Sequence, residues 1–351
     1  MRVLLSYRFL AVEMRVPPAK SNGQTEYLLE FEKPLGRLNR QIGELEAEQK
    51  RSGRDFNSQI RNLRSEYLSL LRGTYANLTP WETVQVARHP RRPLGVDYLE
   101  RMVKDFVELH GDRRFADDRA IRTGFGRISQ QRFVVIAQHK GRETKEKIEC
   151  NFGCAQPEGY RKALRAMQLA QKFHLPILTL IDTPGAYPGI GSEERGVAEA
   201  IAVNLREMSR LRTPIMCVVI GEGGSGGALG IGVGDRIAML EYAYYSVISP
   251  EGCAAILWKT GAKAQEAAEA MRITSRYLKA LDVIDDIISE PLGGAHRDVA
   301  EMAATLERYV GRTYRELSRL TPEALLEKRY ARWRRMGRHL KLQDGLPVGK
   351  P

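Results

Sequence analysis

Ile177-Leu178-Thr179-Leu180-Ile181-Asp182-Thr183-Pro184-Gly185-Ala186-Tyr187-Pro188-Gly189-Ile190-Gly191 is one of two stretches that decide the fold. The other is Ile215-Met216-Cys217-Val218-Val219-Ile220-Gly221-Glu222-Gly223-Gly224-Ser225-Gly226-Gly227-Ala228. Each begins with a continuous apolar run of strand length, rich in β-branched residues, as expected for a strand buried on both faces. Each then passes into a glycine-rich loop and a helical pattern. At such a strand-to-helix edge unpaired backbone N–H groups can face an anion or an oxyanion. Glycine there permits unusual backbone angles and close approach.

Working outward, similar apolar runs at 133–139, 237–240 and 244–248 read as further strands. Residues 158–174 and 193–211 read as helices, the second with Val197, Ile201, Leu205 and Met208 on one face. Strands alternating with helices predict an α/β core with a covered sheet over residues 81–320. Ahead of it, residues 26–80 carry the apolar stripe Leu35, Leu38, Ile42 and Leu45, and after a break at Ser52 and Gly53 a second stripe with Ile60, Leu63 and Tyr67. That pattern predicts a helical hairpin whose apolar face needs a partner. Residues 1–25 read as a disordered extension, or as a start assigned too early with Met14 as the alternative. They make a poor signal peptide, since Arg8 interrupts the apolar stretch. Residues 321–351 read as a basic helical tail, and its arginines (Arg329, Arg332, Arg334, Arg335 and Arg338) as a solvated helix face.

The net charge is +12, from 55 Lys and Arg against 43 Asp and Glu. Such a surface suits an acidic partner: a phosphorylated cofactor, an acidic protein or, as the weaker alternative, nucleic acid. No apolar run approaches the roughly 20 residues of a membrane span. Among the four cysteines, Cys150 and Cys154 lack the spacing of a zinc knuckle and have no second pair, so no metal site is expected. Nothing suggests a disulfide framework, which fits a reducing cytoplasm.

The second loop supports several chemistries on pattern alone. Gly221, Gly223 and Gly226 match a dinucleotide fingerprint, but Gly230, Gly232 and Gly234 crowd the crossover helix it requires. A phosphate-binding loop would need Gly-Lys-Ser/Thr, which does not follow. Gly223-Gly224-Ser225-Gly226-Gly227 matches a nucleophile elbow, with His139, His174 or His296 and Asp182 as partners, so a serine hydrolase acting through Ser225 is the alternative reading. Against all of these stands the plain reading that the glycines only permit tight turns. Two such loops on neighbouring strands favour a shared site.

Longer blocks carry a resemblance. They are His110-Gly111-Asp112-Arg113 with Asp117-Asp118; Gly141-Arg142-Glu143-Thr144-Lys145-Glu146; Pro157-Glu158-Gly159-Tyr160-Arg161-Lys162-Ala163; both glycine loops; Ser249-Pro250-Glu251-Gly252-Cys253; and Glu290-Pro291-Leu292-Gly293-Gly294-Ala295-His296-Arg297. In these, over residues 29–321, the sequence resembles the α subunits of acetyl-CoA carboxylase carboxyltransferase, within the crotonase-like carboxyltransferases. The resemblance implies an α/β crotonase-like spiral of ββα units with an N-terminal helical hairpin and C-terminal helices. It implies carboxyl transfer from biotin, borne on a separate biotin carboxyl carrier protein and loaded by biotin carboxylase, to acetyl-CoA, giving malonyl-CoA for fatty acid synthesis. It implies an α2β2 heterotetramer, with zinc in the β subunit and none in this chain. By matching position, the Gly226 and Gly227 amides form an oxyanion hole; Gly185, Ala186, Gly189, Gly224 and Ser225 shape a biotin pocket. Arg142, Lys145 and Glu251 orient carboxylate or phosphate groups, or make surface salt bridges.

Overall fold

A computed structural model describes residues 27–337, which divide into two compact units meeting between Asn77 and Leu78. The expected extension at 1–25 and the end of the basic tail lie outside the described residues.

The first unit is a hairpin of α1 (Lys33–Ser52) and α2 (Asn57–Ala76). Gly53 ends α1 in the left-handed conformation (φ 70°), and its N–H closes the last turn on the Gln49 carbonyl. The antiparallel pairing is tied at one end by Tyr75 Oη donating to Glu32 at 2.8 Å, and nearer the turn by Arg64 and Glu46 at 2.6 Å. Leu35 and Ile42 of the first stripe are buried, as are Ile60, Tyr67, Leu71 and Tyr75. Leu38 and Leu45 are half-buried.

The second unit contains α3 (Pro80–Ala87), α4 (Gly95–Met102), β1 (Lys104–Glu108), β2 (Ile121–Ile128), β3 (Gln131–Gln138), α5 (Thr144–Glu149), α6 (Pro157–Lys172), β4 (Ile177–Thr183) and α7 (Ile190–Glu194). It continues with α8 (Val197–Arg210), β5 (Ile215–Gly224), α9 (Ser225–Leu229), β6 (Arg236–Leu240), β7 (Tyr244–Ser246), α10 (Pro250–Trp258), α11 (Ala264–Met271), α12 (Ser275–Ala280), β8 (Asp286–Ile288), α13 (Val299–Leu317) and α14 (Pro322–Arg334). The sheet runs β1-β2-β3-β4-β5-β6-β8, with β7 also paired to β5. β1, β2 and β3 are antiparallel neighbours; from β3 onward every pairing is parallel. All residues of β4 and β5 are buried, as their unbroken apolar runs require. The core holds Ile136, Leu178, Ile181 and Val218 from the sheet with Ala163 and Met167 of α6 and Leu306 and Val310 of α13.

The strands expected at 133–139, 177–182, 215–220, 237–240 and 244–248 are β3 to β7, with shifted ends. β5 runs on through Gly224 because β7 pairs with its end, Glu222 opposite Tyr244 and Gly224 opposite Ser246. The helix expected over 193–211 is broken at Gly196, which takes φ 76°.

The solvated reading of the C-terminal arginines is corrected for two of them. Arg329 is 1% exposed; it pairs with both Asp235 oxygens (2.8 and 2.7 Å) and donates to the carbonyls of Met208, Leu211 and Thr213. Arg332 is buried against Asp285. A helix that looks basic is therefore pinned to the core by charge pairs, its arginines delivering planar, multidentate donors to buried carboxylates and carbonyls. Arg334 and Arg335 are exposed.

Candidate active site

The two glycine loops leave the carboxyl ends of adjacent parallel strands, β4 and β5, where open α/β sheets hold their ligands. There the loops press together. A Cβ on Gly224 would lie 2.1 Å from the Pro184 carbonyl oxygen, and one on Gly227 2.4 Å from the Gly185 carbonyl carbon. Both positions therefore exclude any side chain. The glycines of both loops keep ordinary φ values; the left-handed residue is Ser225, at φ 48°. Ser225 turns the chain from β5 into α9, and Gly226 and Gly227 follow in the first turn, where a helix leaves its N–H groups without internal partners. Gly226 is half-buried, with only Ile201 near its Cβ direction at 3.6 Å, and Gly185 faces open space. Ala186 bridges to Ala155, and Gly189 caps α7.

Gln138, at the end of β3, joins the loops. Its Oε1 accepts the Asp182 N–H at 3.0 Å and its Nε2 donates to the Gly227 carbonyl at 2.8 Å.

At the roots of the loops lies a buried charge network. Lys140 pairs with Asp182 at 2.7 Å and also with Glu222. Arg88 reaches Glu222 at 2.7 Å and Glu251 at 2.5 Å, and Tyr244 Oη donates to Glu222 at 2.6 Å. Burial pushes the Glu222 carboxyl up, but Lys140 and Arg88 outweigh it and hold the group down to about 2. Burial pushes the Lys140 ammonium the other way, and Asp182 and Glu222 overcome it, raising its pKa. Beside this network opens a cavity of about 270 Å3 lined by Arg88, Arg92, Lys140, Arg142 and Lys147 against Asp182 and Glu222.

Of the expected anion-orienting residues, Arg142 lines this cavity while holding Asp97 at 2.6 Å. Lys145 is exposed and does not line it; Lys147 and Lys140 do. Glu251 takes its place in the charge network through Arg88. Reading the sequence missed Gln138, Lys140, Arg88 and Glu222. Their partners lie 22 or more positions away, so no local pattern marks them.

The arrangement lacks a hydrolase triad among the described residues. His139 Nε2 bonds to Glu146, His296 stacks on His89 with ring centroids 3.9 Å apart, and His174 follows the end of α6. The carboxylate of Asp182, the expected third member, is taken by Lys140 and by the Glu222 N–H.

In fold the chain is similar to two solved carboxyltransferase structures. One is transcarboxylase 12S with hydrolyzed methylmalonyl-coenzyme A bound: TM-score 0.51 and 20% identity over 66% of this chain and 45% of that one. The other is the β subunit of P. aeruginosa geranyl-CoA carboxylase: TM-score 0.51 and 17% identity over 72% of this chain and 46% of that one. This chain thus spans less than half of either neighbour. The class is a crotonase-like carboxyltransferase fold. Within it, residues 28–337 match the family described as acetyl co-enzyme A carboxylase carboxyltransferase-like, and the chain belongs to that family. The acetyl-coenzyme A carboxylase carboxyl transferase subunit alpha of Rhodopirellula baltica is 54% identical over 309 residues, 88% of this chain and 97% of the relative.

Proposed function

We propose that this chain is the α subunit of an acetyl-CoA carboxylase carboxyltransferase and builds the biotin side of its active site. The complex moves the carboxyl group carried by biotin, on a biotin carboxyl carrier protein, to acetyl-CoA, and malonyl-CoA results. Biotin carboxylase loads the carrier, and the reading carries with it a cytoplasmic place of action. One observation supports the site assignment above others: the loops closed on each other at Gly224 and Gly227, with the first amides of α9 beside them.

Bound biotin supplies the carboxyl group and, once that group leaves, a ureido oxygen with growing negative charge. The chain's own part is to meet that oxygen. The Gly226 and Gly227 N–H groups stand at a helix start, already oriented, and losing one such donor costs about 3–4 kcal/mol of barrier. In this reading Gly185, Ala186 and Gly189 are the wall, and Gly224 and Ser225 the floor, of a pocket for a flat ring; the open space in front of Gly185 supports it. Lys140 and Arg88 keep Glu222 ionised at the loop roots, so the floor holds its shape through the working pH range. Arg142, with Lys147 and Lys140, gives the adjoining cavity a cationic lining suited to a carboxylate or phosphate.

A β partner, bearing zinc and the larger part of the CoA pocket, completes the site in an α2β2 assembly. α10 supports a partner here: Ile256 and Leu257 on it are 62% and 64% exposed, and nearby Val247 is 78% exposed. Two large apolar side chains adjacent on one helix and this exposed are poorly placed in water. The +12 charge suits the phosphates of CoA and an acidic carrier. Among the described residues no helix is long and apolar enough to cross a membrane.

The test is co-expression with the β partner. The purified pair should carboxylate free biotin at the expense of malonyl-CoA, and the single chain should not. A pair that forms but shows no biotin-dependent carboxyl transfer refutes the reading.

A further inference from the structure

Between the two glycine loops lies a side chain that belongs to neither. Gln138 is fully buried. The ladder between β3 and β4 ends at Ala137 opposite Leu180, and β4 slips its register against β5 between Ile181 and Thr183. The Asp182 N–H thus sits where regular pairing runs out, and the Gln138 side chain takes it over. The same amide donates to the Gly227 carbonyl. Its orientation is fixed by both partners: turned over, it would set carbonyl against carbonyl and N–H against N–H.

α9 is five residues long, too short to be held by its own ladder alone. Bonds at its carbonyls set its direction. The Gly226 carbonyl accepts the Gly230 N–H at 2.9 Å, and Asn204 Nδ2 donates to the Gly230 carbonyl at 2.8 Å. Gln138 holds the Gly227 carbonyl at 2.8 Å. Because a peptide unit is planar, a clamp on a carbonyl also aims the N–H that follows it. The bond at the Gly226 carbonyl therefore aims the Gly227 amide, and the Gln138 bond holds the next peptide, Gly227 to Ala228, so Gly227 is fixed on both sides.

We infer that Gln138 is a positioning residue for carboxyl transfer, locking the amide turn at Gly227 to the wall loop that starts at Asp182. The inference rests on the function proposed above. Gln138 acts through backbone groups alone.

The experiment uses the chain assembled with its β partner and assayed for malonyl-CoA-dependent carboxylation of free biotin. Gln138→Met keeps the volume and removes both bonds. In the assembled complex kcat should fall at least about tenfold, while KM for biotin moves less than about twofold, the mark of a loss felt in the transition state. Gln138→Glu separates positioning from simple support. Its carboxylate still accepts the Asp182 N–H but sets a second oxygen against the Gly227 carbonyl; protonated, it donates there as the amide did. Its rate, normalised to wild type at each pH, should therefore rise as pH falls from about 8 toward about 6, because burial raises a carboxyl pKa. A residue that only supports the fold would change complex yield and melting temperature but leave that normalised rate flat. The glutamate variant is assembled at the low end of the range, so it remains available if Gln138→Met does not assemble. Full kcat in the Gln138→Met complex, or a flat profile in the Gln138→Glu complex, overturns the inference. A wild-type complex without biotin carboxylation overturns the functional reading instead, whatever the variants do.

Discussion

Where β5 turns into α9, a Cβ on Gly224 or Gly227 would drive into backbone of the loop after β4, at 2.1 and 2.4 Å. In the loop after β4, a Cβ on Gly185 meets nothing within 4 Å, and those on Gly189 and Gly191 meet only the side chains of Tyr187 and Arg195. The two loops look alike in sequence, yet only one needs its glycines for packing. The second loop is a turn wedged against a wall; the first is the wall, and its glycines leave room in front of it. Backbone strain sorts the same way, since the left-handed residue of the turn is Ser225 and no glycine in either loop takes a positive φ.

The largest expected effect breaks the contact between the loops. Gly227→Ala and Gly224→Ala each force backbone apart and should destabilise the chain by about 3 kcal/mol, near the upper end for overpacking. Carboxyl transfer should fall by roughly a hundredfold or more, as for a displaced oxyanion donor. Gly185→Ala should leave the denaturant midpoint of the chain unchanged, and its rate then reports whether the wall touches substrate. Equal midpoints for Gly185→Ala and Gly227→Ala would erase the distinction between the loops.

The next test cuts the tie at the loop roots. Lys140 holds Asp182, which begins the wall, and Glu222, which begins the turn. Lys140→Met leaves two facing carboxylates without their shared cation, which should cost about 3–5 kcal/mol at neutral pH. The sign of the pH dependence follows from Glu222, lowered from 4.5 to about 2 in the folded chain. The unfolded chain binds the proton first, so this stability is present above about pH 4.5 and is lost as pH falls toward about 2. In Lys140→Met the folded pKa rises, so the loss on acidification should shrink and the gap between variant and wild type should narrow at low pH. Urea unfolding at a series of pH values reads this directly; a gap that stays constant would mean that the lysine does not hold the loop roots through charge.

Which parts were legible in the sequence follows from the range of the forces. β4 and β5 were, because a strand buried on both faces must be apolar throughout, and the loops were, because glycines cluster at their ends. β1 and β2 were not. Their burial is patchy and two glycines, Gly124 and Gly126, interrupt β2 where Phe106 and Val103 crowd in. Arg329 looked solvated because arginine usually is; its partner Asp235 lies 94 positions earlier. Gln138 gave no local sign either, since both its bonds go to backbone groups that any residue would offer.

The smallest effect concerns Ser225, where the two enzyme readings divide. A non-glycine residue at φ 48° pays roughly 1 kcal/mol for its conformation, so Ser225→Gly should gain up to about that much in stability. Ser225→Ala keeps the strain and should change stability by only a few tenths of a kcal/mol, about the level of an ordinary surface change. The Ser225 hydroxyl has no imidazole within its hydrogen bonds among the described residues, and the three histidines weighed for it are elsewhere engaged or remote. A hydroxyl without a base is a poor nucleophile, so a fluorophosphonate probe should leave the chain unlabelled. Carboxyl transfer in Ser225→Ala should drop no more than a few fold, far less than in Gly227→Ala, because the amides proposed to meet the oxyanion are still in place. Labelling at Ser225, together with an esterase activity that vanishes in Ser225→Ala, would reverse the comparison: the turn would then work through its one side chain and not through its backbone.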